Sequence, residues 1–123
     1  MDALAPTELT EALQTDVGDG LRTVAVGDLT DREYSIVYIR DNIDETYSED
    51  MREEIFEEMV FEHISEARQT DLFPPLGSLE FTTRIFEDGI NVVGWDEEVA
   101  VFVGLDPDPT LIPTTVEACR RAF

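Results

Sequence analysis

The chain has 123 residues, 42% of them hydrophobic, and carries 29 Asp or Glu against eight Arg, one His and no Lys, a formal net charge of −21. Direct nucleic-acid binding is excluded, because each phosphate contact wants an Arg or Lys and the arginines are scattered among acids without a basic stripe. The single cysteine, Cys119, excludes an internal disulfide and a cysteine-based metal site. It reads as a small buried apolar residue in a reducing compartment.

The acids are spread along the chain and interleaved with aromatics, so the composition is that of a folded domain and not of an acidic disordered tail. In dilute buffer so many carboxylates repel one another and penalise compactness. At roughly 1 M salt the Debye length falls to about 3 Å and the penalty disappears. The expected setting is the cytoplasm of a salt-accumulating organism. A basic leader followed by an apolar stretch is missing, and no apolar run approaches about 18 residues, so neither export nor a membrane span is expected.

In chain order, Pro6-Thr7-Glu8-Leu9 opens a short amphipathic helix with Leu9, Ala12 and Leu13 on one side, stopped by Gly18 and Gly20. Thr23, Val24 and Val26, a turn from Gly27-Asp28 through Asp31, and Tyr34 to Arg40 read as a β-hairpin. Asp41 to Tyr47 is a polar connection, and Ser48 is a good N-cap for a helix to about Arg68, with Glu49 and Asp50 complementing its dipole. At about 100° per residue, Ile55, Phe56, Met59, Val60, His63, Ile64 and Ala67 form one apolar arc, and Glu54, Glu57, Glu58 and Glu62 point away.

Asp71 to Gly77, with Pro74-Pro75, is a loop. Next comes a strand with Leu79, Phe81, Thr83 and Ile85 on one face and Glu80, Thr82, Arg84 and Phe86 on the other. Asp88-Gly89 signals a type I′ hairpin to Ile90–Trp95. Val99 to Leu105 is apolar on both faces and is expected at the centre of the sheet. After a break at 106–109, Thr110 to Phe123 reads as a closing helix with Ile112, Val116, Cys119 and Phe123 along one stripe.

The order helix, two strands, long helix, three strands, helix predicts one α+β domain over residues 1–123. It resembles the Roadblock, longin and profilin-like group, in which a five-stranded antiparallel sheet lies between a central helix and two terminal helices. Sensor domains of the PAS type share the ββ-α-βββ core. They would imply a small molecule held between helix and sheet, in an apolar pocket near Met59, His63 and Phe81. The segments Tyr38-Ile39-Arg40-Asp41-Asn42, Tyr47-Ser48-Glu49, Asp71-Leu72-Phe73 and Ile85-Phe86-Glu87-Asp88-Gly89 resemble a family of small haloarchaeal proteins of undefined function. That resemblance supports the saline habitat and implies no mechanism.

Candidate chemistry is sparse. Val101-Phe102-Val103-Gly104-Leu105-Asp106-Pro107-Asp108-Pro109-Thr110 is similar to the first motif of haloacid dehalogenase-like phosphatases, whose first Asp accepts a phosphoryl group. The stretch after Thr110 is too short for the rest of that fold, and no lysine is available to offset the phosphoryl charge. A strand end with Asp108 or Thr110 capping the last helix is the alternative. Asp41, Asp44, Glu45 and Asp50 lack the spacing of a calcium loop. His63 falls within the apolar arc and lacks a nucleophile-elbow serine, and neither G-x-G-x-x-G nor a P-loop occurs. Arg120 and Arg121 sit where cations favour a helix C-terminus.

Phe61 is the anomaly, an aromatic amid Glu54, Glu57, Glu58 and Arg68 on the charged face, and exposed aromatics among charges anchor interfaces. Arg84 and Phe86, on the outward face of the third strand, are further interface candidates, because the Roadblock resemblance implies pairing through that strand and the central helix. The expectation is a non-catalytic, cytoplasmic interaction or regulatory module with no cofactor, acting as a homodimer or on a protein partner that the sequence does not identify. The rival readings are a PAS-like sensing domain and a minor hydrolase using Asp106 and Asp108.

Overall fold

The computed structural model describes residues 6–96 and 98–122, with the side chains of 62–70 and 122 outside that description. Its helices are α1 (Pro6–Asp16), α2 (Asp41–Asp44), α3 (Glu49–Leu72) and α4 (Leu111–Ala122). Its strands are β1 (Leu21–Asp28), β2 (Glu33–Ile39), β3 (Phe81–Phe86), β4 (Gly89–Trp95) and β5 (Val99–Leu105). All neighbouring strands are antiparallel in the order β2-β1-β5-β4-β3, so doubly apolar β5 takes the centre, as expected, and β2 and β3 are the edges.

Strand alternation divides the apolar residues between two layers. Val101, Val103 and Leu105 of β5, with Ile90 and Val92 of β4, meet Leu9, Leu13 and Val17 from α1 and the turn after it, and Ala118 and Cys119 of α4. The intervening residues Ala100, Val93 and Trp95 point the other way and meet Met59 of α3, with Ile55, Leu79 and Phe102 at the margin. Each buried aliphatic side chain is worth about 1.5–3 kcal/mol, so among the described residues the α1/α4 layer carries most of the stabilisation.

Local chemistry explains the joints. Gly18 stops α1 at φ 71°, a conformation that glycine adopts without strain. The Ser48 hydroxyl accepts the Met51 N–H at 3.2 Å, capping α3 as its sequence predicts. Asp28 Oδ1 accepts the N–H groups of Thr30 and Asp31 at 2.9 and 3.0 Å and shapes the β1–β2 turn, in which Arg32 has φ 56°.

Four expectations are corrected. Gly27 and Asp28 belong to β1, and the turn follows them. The connection after β2 contains one helical turn, α2, which inserts Ile43 into the interior. Helix α3 continues to Leu72, because the first residue that cannot continue it is Pro74. Leu79 precedes β3 and packs on the α3 layer, opposite to Phe81, because regular alternation begins only at Phe81.

The β3–β4 hairpin is present, but Phe86 pairs with Gly89, so its central residues are Glu87 and Asp88, and neither has positive φ. Gly89 serves a different need. A Cβ there would lie 2.4 Å from Arg22 Nη1, whose guanidinium crosses the strand to donate to the Asp88 carbonyl at 2.7 Å.

Candidate interaction surface and cleft

Edge strand β3 presents side chains to both layers. Its register puts Arg84 and Phe86 on the α3 side and Ile85 on the α1/α4 side. Ile85 is 63% and Phe86 55% exposed, and on α3 Phe61 is 64% exposed. Leu72, Phe73 and Leu76 add exposed apolar surface where α3 turns back toward β3, so Phe61 is not buried beneath that loop. All three sequence candidates, Phe61, Arg84 and Phe86, are exposed, but Arg84 and Phe86 lie on the face that α3 covers and not on an outward face, and Ile85, assigned by alternation to the inward face, is exposed as well.

A second feature lies between α3 and the sheet. Phe56 of α3 settles on Gly27, where a Cβ would come within 2.6 Å of its ring, and stacks at a tilt on Tyr34 with centroids 5.1 Å apart. Met59 packs toward Trp95. Near the start of α3 the sheet offers Ala25 and Gly104, too small to meet the helix, and a cleft of about 620 Å³ remains. Phe102, Ile36 and Ile43 make its walls apolar, and Arg22, Arg52, Glu87 and Asp88 contribute its polar lining. Met59 lines it as the sensing reading expects, whereas Phe81 lies on the other side of the sheet, beside Gly94 and under the Arg120 guanidinium at 5.7 Å. The His63 side chain is outside the described residues.

The carboxylates of the phosphatase-like segment are occupied as structural acceptors. Asp106 receives two hydrogen bonds from Arg40, Nη2 to Oδ1 at 2.8 Å and Nη1 to Oδ2 at 3.1 Å, and this pairing holds its carboxyl below the usual range. Asp108 Oδ1 accepts both the hydroxyl and the N–H of Thr110, at 2.7 and 3.0 Å, which lowers its pKa and orders the approach to α4.

Among the acids of the connection, Asp44 is paired with Arg52, and among the described residues no group of three His, Cys, Asp or Glu could hold a metal ion. Arg121 pairs with Asp16 at 2.8 Å and Arg120 with Glu80 at 3.1 Å, so both serve the scaffold. Cys119 is buried against α1 and the sheet, and desolvation pushes its thiol up to about 12. No helix among the described residues is long and apolar enough to cross a membrane.

Residues 7–123 match the family model described as a domain of unknown function, DUF7522. The chain belongs to that family. No curated protein matches it. Solved structures do: MglB of Myxococcus xanthus superposes with a TM-score of 0.63 at 10% identity, covering 94% of this chain and 83% of that one. The gliding protein MglB of Thermus thermophilus gives 0.57 at 11% identity, covering 95% and 84%. At that identity the likeness is one of fold, and it bears out the Roadblock-like architecture expected from the element order.

Proposed function

We propose that this DUF7522 chain is a non-catalytic interaction or regulatory module of a haloarchaeal cytoplasm, acting as a homodimer paired through β3 and α3. The observation that carries the reading is the β3 edge, a strand that among the described strands pairs only with β4 and whose Ile85 and Phe86 expose apolar surface on both faces of the sheet. Such an edge invites another strand. A twofold pairing of β3 with itself would continue the sheet across two copies and bring the α3 helices together, placing Phe61, Arg84 and Phe86 in or beside one self-complementary interface. The Roadblock-like fold supports a scaffold role, and the engagement of Asp106 by Arg40 and of Asp108 by Thr110 argues against the hydrolase alternative. The saline setting rests on the charge of −21.

Light scattering in about 2 M KCl, where the carboxylates are screened, tests the reading. The wild type is expected at twice the 13.9 kDa chain mass, with Phe61→Asp and Ile85→Asp shifted to monomer. A monomeric wild type would overturn it.

A further inference from the structure

We propose that the cleft between α3 and the sheet binds a small molecule with an apolar body and a carboxylate head, the head accepting a hydrogen bond from Arg52. The cavity, about 620 Å³, falls within the range of roughly 300–1,000 Å³ typical of ligand pockets. Small residues are among its lining. Gly104 of β5 and Ala25 of β1 both line it, diagonal to one another because Gly104 pairs with Thr23 and Ala25 with Phe102, and a Cβ added at Gly104 would touch Thr23 Cβ at 3.4 Å. Longer side chains at these two lining positions would extend into the cleft.

The polar end is specific. Arg52 lines the cleft, its Nη2 is engaged by Asp44, and its Nε–H is shielded from solvent with no acceptor. A buried donor left without a partner costs about 1–3 kcal/mol. A ligand oxygen that displaced the atoms covering Nε would remove that cost, since an atom closed to solvent is closed to a ligand until they move. Arg22, on the same lining, donates only to the Asp88 carbonyl among the described residues and makes no ion pair there, so a second guanidinium charge borders the cleft. Two of the eight arginines in so acidic a chain thus line one apolar cavity. Glu87 and Asp88 disfavour a second negative group on the ligand, which limits it to a monocarboxylate.

Titration calorimetry on the full chain in about 2 M KCl, with potassium octanoate and octylammonium chloride as probes, tests this. Octanoate is expected to bind one to one, and octylammonium, which has no acceptor, about tenfold or more weakly. Arg52→Lys keeps a cation beside Asp44 but removes the Nε–H, and is expected to bring the two probes close to equal affinity. Gly104→Leu and, independently, Ala25→Leu should abolish binding of both, with circular dichroism confirming that each variant folds. Silence from octanoate, equal affinity of wild type for the two probes, or unchanged binding by the folded filled-cleft variants would overturn the proposal. The inference does not rest on dimerisation. A monomer that binds octanoate overturns the pairing alone, and a dimer that binds neither probe overturns the cleft alone.

Discussion

Arg40, just past the end of β2, grips Asp106, just past the end of β5, through both terminal guanidinium nitrogens, although β1 lies between the two strands. The same side chain donates to the Asp19 carbonyl and the Asn42 amide oxygen, each at 2.9 Å, so one arginine joins the turn after α1, the start of α2 and the exit of β5. Both partners are partly exposed, so solvent discounts the pair. Arg40→Met is expected to cost about 1–2 kcal/mol, read from chemical denaturation in high salt.

The same pair sets a pH dependence. Because Arg40 lowers the folded pKa of Asp106, the stability it contributes is complete above the unfolded value, near about 4, and is lost as pH falls through the lowered folded value. The difference in stability between wild type and Arg40→Met should therefore be constant above about pH 5 and shrink below about pH 4. A difference that does not change down to acid unfolding would count against the assignment.

The carboxylate surface predicts a melting temperature that climbs with KCl, by about 10 °C or more between roughly 0.1 and 2 M, as screening removes repulsion. Differential scanning calorimetry checks this. Equal stability in dilute buffer would remove the saline explanation for the charge.

Arg32 holds a left-handed conformation, φ 56°, in the β1–β2 turn, where a residue with a Cβ is strained by roughly 1–2 kcal/mol. Arg32→Gly relieves the strain but loosens the unfolded chain, so the expected gain is about 0.5 kcal/mol, a rise of about 2–3 °C in Tm. A fall in Tm would contradict the turn geometry.

Cys119 should resist thiol reagents at pH 8 in the folded protein, since burial keeps it protonated up to about 12, and should react on unfolding. The time course of disulfide exchange with an aromatic disulfide, with and without denaturant, measures this directly.

The long elements were legible because their periodicity is repeated many times. Six apolar residues and His63 marked an arc along α3, of which the described side chains Ile55, Phe56, Met59 and Val60 are buried or half-buried, and β5 announced its central place by being apolar on both faces. What was illegible was local or defined by what is missing. One-turn α2 offers a single buried side chain, Ile43, and no period to detect. The role of Gly89 was misread because its small size admits Arg22 from a distant strand, a contact that no neighbouring residue encodes. Phe61 stood out among glutamates, whereas the cleft is lined by residues from separate strands and helices, small Ala25 and Gly104 among them, and no local pattern marks them as sharing one cavity.

Among the described side chains the two apolar layers are unequal, and that inequality gives the molecule a built-in order of opening. Backbone amides of β1, β4 and β5 lie over the deeper layer and should exchange with deuterium only when the whole chain unfolds, while α3, whose described seating residues include Phe56 and Met59, should lift without disturbing them. The hinge for that excursion is already present on either side of the helix, in the polar stretch around Tyr47 and the diproline turn ending at Gly77.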